Sequence, residues 1–404
     1  MRPLVKVNPT TFAPNYPYYT VPSLGALIPF GGGSSIANAF NGGAAGSMTM
    51  LALLTAMLTH KTGGYPFTAV GMTPAAQNYC IKRIRAVMAP LYRLANPHLS
   101  AQLGPYCCYC ELPIPGHHLD VEHRIPKGNF PLLTTLWLNF LAACGRCDSA
   151  KGKGPSRALA LLWFGGGAPN EAQLMQAVED RHFWPDLPDV FTGQKRSFRR
   201  TRYRLRNVAG VGGGGAYAPI AMNLATAPNA SLASFVNYAV RANVPLAPGA
   251  VPTAAVRVEV VCVGAPYLGA GAAAVNAQTV ATINYLGLAV QNSARAGYRT
   301  YTWFRVLAAV NNLTAFYVFI MGMGQPQATV DTLFDFMWAQ FLFAAQGFGH
   351  YSTIVTLLLE FNYPIGLTNL AGYATLAHRF IADSSPAAGL PMAVFPGTVV
   401  ATVP

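Results

Sequence analysis

The sequence predicts an α+β protein: a zinc-stapled module embedded in a mainly helical N-terminal half, followed by a separate, apolar, mixed α/β C-terminal domain. Three observations carry this expectation. Two C-x-x-C pairs, Cys107/Cys110 and Cys144/Cys147, frame one short segment. Helical patterns flank that segment on both sides. The charge is also divided: residues 1–206 hold 21 Lys/Arg against 9 Asp/Glu, whereas residues 207–404 hold 6 against 5.

Taken in order, the chain has no charged residue between Lys6 and Lys61, and its stretch 48–58, MTMLALLTAML, has the length of a buried helix rather than a membrane span. Tyr79, Ile81, Ile84, Val87 and Met88 recur at helical spacing with Lys82, Arg83 and Arg85 between them. This predicts an amphipathic helix that Pro90 ends or kinks. Asn170-Glu171 opens another helix. In the basic run KRSFRRTRYRLR at 195–206, Arg200, Arg202, Arg204 and Arg206 alternate with Thr201, Tyr203 and Leu205. That alternation puts the guanidinium groups on one face of a strand, where they suit phosphate contacts. Gly212–Gly215 reads as a linker, VRVEVVCV at 256–263 as a strand, and stretches near 275–295, 330–347 and 367–382 as helices.

Of the 404 residues, 52% are hydrophobic and only 10% charged, with a net charge of +13. So few charges exclude a charge-solvated disordered chain and a coiled coil. A basic half joined to a near-neutral one is the asymmetry expected of a polyanion-binding protein. The windows 306–330 and 336–359 lack charge, but Asn311, Asn312, Gln340, Gln346 and His350 would need partners in lipid, which favours a buried core over a membrane role. The first residues, MRPLVKVNPTTF, have no apolar run behind their basic residues, so the default compartment is the cytoplasm.

Seven cysteines, four of them in two matched pairs, read as a metal site rather than a disulfide framework. Cys107, Cys110, Cys144 and Cys147 can offer four thiolates to one structural Zn²⁺ at about 2.3 Å, with no position left for water. Cys108 is wrongly spaced to join them. Between the pairs, LDVEHRIP as a strand places Asp120 and Glu122 on one face and His123 on the other. Glu111, Asp120, Glu122 and Asp148 concentrate acid inside the basic half, as a hard-cation site on a polyanion-binding surface requires. His117 and His118 read as exposed turn residues.

The order C-x-x-C, Glu122-His123-x-x-Pro126, Trp137-x-Asn139, then C-x-x-C-Asp148 with Lys151 after it resembles the HNH nucleases, in particular those whose ββα-metal unit is clamped by a four-cysteine zinc. The likeness covers about 50 of the 404 residues. It implies that His123 is the general base, that Glu122 and Asp148 ligate a catalytic Mg²⁺ or Mn²⁺, and that Asn139 pins the loop that orients the base. Lys151 would then contact phosphate, with Arg124 and the arginines of 195–206 as further nucleic-acid contacts. Asp148 departs from the Asn or His usual in the family, though its oxygen remains a competent ligand for a hard cation.

The implied organisation is a Gly/Ala-rich segment over 1–65, the HNH domain over 66–165, a basic connector over 166–215 and an apolar domain over 216–404. The implied activity is hydrolysis of phosphodiester bonds in double-stranded DNA by a conditional effector of a defence or toxin type. Its C-terminal domain would meet an activating partner or another copy of the chain. Two other readings fit the same residues: a zinc-stabilised nucleic-acid-binding module that has lost cleavage, and a membrane-inserting toxin carrying a nuclease domain.

Overall fold

The structure is a computed structural model that describes residues 27–64, 72–114, 118–151, 161–165, 171–186, 201–209, 256–264, 271–290, 293–360 and 376–384, with isolated residues such as Leu4, Lys6 and Phe395. It is a mixed helix-and-sheet protein with small sheets. The chain divides into two compact units: an N-terminal unit of Lys6–Pro105 and Pro115–Arg181, and a C-terminal unit of Met1–Val5, Tyr106–Ile114 and His182–Pro404.

In the N-terminal unit, β1 (Leu27–Phe30) pairs antiparallel with β2 (Gly46–Thr49), and α1 (Ser35–Phe40) fills the connection between them. Thr49 then caps α2 (Met50–Lys61), and Thr73 with Pro74 starts α3 (Pro74–Arg93). Both starts use a hydroxyl to satisfy a backbone N–H that the first turn leaves unbonded. The apolar stretch at 48–58 buries Met50, Leu53, Leu54 and Met57 from α2. Against them α3 turns Cys80, Ile81, Ile84 and Met88, leaving Lys82, Arg83 and Arg85 exposed. Each such side chain contributes about 1.5–3 kcal/mol on full burial. Pro90 does not end the helix, which runs on to Arg93. Its missing N–H leaves the carbonyl of Ala86 without that helical bond, and the helix continues for three more residues. A short helix, α4 (Asn96–Leu103), follows.

Next come β3 (Leu119–His123), two single 3₁₀ turns at Pro131–Leu133 and Trp137–Asn139, β4 (Phe140–Cys144) and α5 (Gly145–Lys151). The strands form an antiparallel hairpin in which His123 lies opposite Phe140 and Leu119 opposite Cys144. Helix α6 (Glu171–Asp180) begins at Asn170 with a reciprocal capping box to Gln173. It packs Leu174 and Val178 on Ile125, Phe130 and Leu133 of the hairpin loop.

In the C-terminal unit, β5 (Thr201–Ala209) is the middle strand between β6 (Ala218–Pro219) and β7 (Val256–Gly264). The helices are α7 (Ala272–Tyr285), α8 (Ala294–Gly322), α9 (Gln327–Phe348), α10 (Tyr351–Glu360) and α11 (Leu376–Asp383). Most of the charge-free window 306–330 belongs to α8, which buries Trp303, Val306, Leu307, Val310 and Leu313 at helical spacing. Among the described residues no helix is long and apolar enough to cross a membrane. Gly212–Gly215 lies outside the described residues.

One acid departs from its expected place. Glu111, expected among the acids of a cation site, is buried, and its carboxylate accepts from the Ser352 N–H at 2.7 Å and the Ser352 hydroxyl at 2.6 Å. Its own carbonyl accepts from the His350 N–H at 2.9 Å. Glu111 therefore caps the start of α10, where an anion satisfies unbonded N–H groups and complements the helix dipole. Glu111→Ala should lower stability by about 2 kcal/mol because it orphans those buried donors, and Glu111→Gln by less. The shift in thermal unfolding midpoint measures both.

Candidate functional site

The segment between the cysteine pairs places its side chains by a simple rule. Tyr106 bridges Pro113, the Cys107 N–H donates to the Leu112 carbonyl at 3.0 Å, and the Glu111 N–H donates to the Cys107 carbonyl at 2.9 Å. The resulting tight turn presents Cys107 and Cys110 together. Cys144 ends β4 and Cys147 lies in the first turn of α5. All four are buried, and their sulfurs lie within 4.8 Å of one another. A tetrahedral Zn²⁺ with bonds of about 2.3 Å needs sulfurs about 3.8 Å apart. The cluster therefore fits a metal ion such as zinc with only a small closure. Cys108 is buried but is not one of the four.

His123 closes β3 and is buried. Its Nε2 lies 2.8 Å from the Thr134 carbonyl oxygen. A carbonyl can only accept, so the neutral ring carries its proton on Nε2 and keeps a lone pair on Nδ1. The Lys127 ammonium stands 3.5 Å from Nδ1. Tyr92 and Phe140 meet the ring edge-on, with centroids 4.8 and 5.1 Å away. One nitrogen thus donates to a backbone carbonyl, the ring plane is held by its aromatic neighbours, and Nδ1 faces the Lys127 ammonium.

Asn139 ties together the loop that carries these contacts. Its Oδ1 accepts from the Ile125 N–H at 2.7 Å, and its Nδ2 donates to the carbonyls of Ile125 at 3.0 Å and Leu133 at 3.3 Å. Its own carbonyl accepts from the Arg124 N–H at 2.8 Å. Beneath the same turn, Lys6 donates to the carbonyls of Trp137, Leu138 and Phe140 at 3.3, 3.0 and 2.6 Å. Asn139→Ala leaves the buried Ile125 N–H without its acceptor. It should cost about 2–4 kcal/mol, read from chemical denaturation, while zinc content stays unchanged.

Asp120 and Glu122 share one face of β3 by strand alternation, yet Asp120 is exposed and Glu122 buried. Asp148 is exposed near the start of α5. Burial first, and the nearby Asp148 carboxylate second, push the Asp120 carboxyl above its usual range, with Arg93 and Lys127 pulling the other way. A neighbouring like charge disfavours the ionised form of a carboxyl, as burial does.

The expected phosphate contacts fare differently. Arg124 is buried in an ion pair with Glu179 of α6, and a buried cation already committed to a carboxylate is not free to meet a phosphate. Lys151 ends α5, with its side chain outside the described residues, and Arg200 also lies outside them. Arg202, Arg204 and Arg206 do lie on a strand, β5, opposite Val263, Val261 and Glu259 of β7. Arg202 is half-buried there, and the side chains of the other two are outside the described residues. His118 is exposed.

Sequence reading passed over Lys127, Tyr92, Thr134 and Lys6. Lys127 carried a local signal, since it directly follows the Pro126 of the motif. Thr134 acts through its backbone and Lys6 lies 131 positions from Trp137, so neither carried one.

No known family profile and no solved structure matches the chain. It is similar to the Septu protein PtuB of Bacillus thuringiensis, at 35% identity over 68 residues, which is 17% of this chain. The matched stretch spans about a quarter (26%) of that relative's length.

Proposed function

We propose that the chain is a metal-dependent endonuclease of the HNH type that hydrolyses phosphodiester bonds of DNA. The observation that carries this reading is the His123 geometry: an Nε2–H donated to the Thr134 carbonyl and an unprotonated Nδ1 that faces Lys127, at the end of a strand hairpin that runs directly into a helix. An imidazole held this way can take a proton from an attacking water. Asn139 acts as a positioning residue, because the loop it ties holds the Thr134 carbonyl that orients the ring.

Asp148 and Glu122 are the residues that would hold Mg²⁺ or Mn²⁺, and the electrostatic influence of Asp148 on Asp120 supports Asp120 as a further oxygen donor to Asp148's ion. When bound, such an ion supplies Lewis-acid stabilisation of charge on the phosphate. The four thiolates would hold zinc in a purely structural role.

The likeness to a Septu protein supports an effector of a defence type. The C-terminal unit would supply the assembly or activation contact, and there α9 leaves Leu333, Phe336 and Phe343 exposed. We assign the chain to the cytoplasm.

The test is incubation of supercoiled plasmid with the full chain and Mg²⁺ or Mn²⁺, with His123→Ala alongside. Nicking by the parent alone supports the reading. DNA binding without nicking under either metal would make the protein a binding module instead.

A further inference from the structure

Helix α3 presents Lys82 and Arg85 to a cleft of about 400 Å³ that also takes in Lys127, Tyr92 and Thr134. The last three are groups that touch the His123 ring, so the cleft opens beside the proposed base. Its floor is apolar, built around Met57 and Met88. Its volume lies at the lower end of the range for pockets that take small organic ligands.

The charge in this cleft is one-sided. No carboxylate lines it, and no described residue forms an ion pair with Lys82 or Arg85. Lys61 adds to the crowding: partial burial, and then the Arg85 guanidinium, hold its ammonium below the usual lysine value. Cations gathered without an acid repel one another, and a bound anion removes that repulsion. Lys82 and Arg85 are three positions apart on one helix face, so they point the same way. An apolar floor under a cationic rim matches a ligand with a flat apolar ring and a phosphate.

We infer that this cleft binds a nucleotide, its base over Met57 and Met88 and its phosphate on Lys82 and Arg85. Two sources share that chemistry: the nucleotide of a DNA strand next to the bond to be cut, and a free nucleotide. The inference rests on the proposed nuclease reading for the first source and is independent of it for the second.

The experiment uses the full zinc-loaded chain and the double variant Lys82→Ala/Arg85→Ala, with no Mg²⁺ or Mn²⁺ added. Both positions are exposed and helical, so α3 should persist, and Lys82→Gln/Arg85→Gln repeats the test with longer side chains. Fluorescence anisotropy with a short labelled duplex is read across a salt series, and calorimetry with AMP forms the second arm. For a strand nucleotide, the double variant should bind duplex about tenfold more weakly and lose about two units from the slope of log affinity against log salt. For a free nucleotide, duplex binding stays unchanged while AMP binding by the parent is lost in the variant. If both variants keep their zinc and helix content and neither binding changes, the inference is overturned. Because no cleavage is measured, a failure to nick plasmid would count against the proposed activity and leave this test intact.

Discussion

Cys144→Ser should release the metal and unfold the hairpin that carries His123. The residue ends β4, pairs in register with Leu119, and is one of four buried sulfurs within 4.8 Å of one another. Structural zinc sites of this kind contribute apparent binding free energies of about 10–16 kcal/mol near neutral pH, so losing one thiolate removes a large share of local stability. The hairpin has little to fall back on, because two strands alone are marginally stable in water. Elemental analysis should find about one zinc per parent chain and almost none in the variant, with a much lower unfolding midpoint. Cys108→Ser is the control: its sulfur stands outside the cluster, so zinc should remain. A Cys144→Ser protein that kept a full equivalent of zinc would exclude a four-thiolate site.

The second large effect is on catalysis. His123→Ala should lower the nicking rate by about 10²–10⁴-fold, the range for losing a positioned general base. Because the ring is buried between Tyr92 and Phe140, alanine leaves a gap there. That gap offers a readout a purely structural histidine would not give: added imidazole should restore part of the rate. His123→Gln, which fills more of the space, should stay inactive and show no rescue. A His123→Ala protein that nicks plasmid at the parental rate would remove the imidazole from the mechanism.

Much of the local structure was legible because it depends on near neighbours. The buried helix at 48–58, the amphipathic helix through Ile84 and the strand along 201–206 all follow from spacing, since helix and strand faces repeat at fixed intervals, and the helix start at Asn170-Glu171 follows from its cap residue. Pro90 does not end α3, because the buried face of Ile81, Ile84 and Met88 carries the helix past one missing backbone bond. Within the candidate site, Asp120 and Glu122 come out differently, one exposed and one buried. Strand alternation puts both on one face, but only the approach of Asp148 singles out the exposed one.

The sequence by itself determined that each thiol pair would turn its two sulfurs toward a common point, because a C-x-x-C turn brings them together locally; the meeting of the two pairs within 4.8 Å is a tertiary outcome. Only the tertiary structure decided which charges remain available. Glu111 caps a helix that begins 240 positions downstream, and Arg124 pairs with Glu179 across 55 positions. Lys82 and Arg85 form no ion pair with a described residue and line the same cleft as Lys127, Tyr92 and Thr134. Each outcome depends on which groups distant parts of the chain bring within a few ångströms, and a local pattern of residues does not encode that.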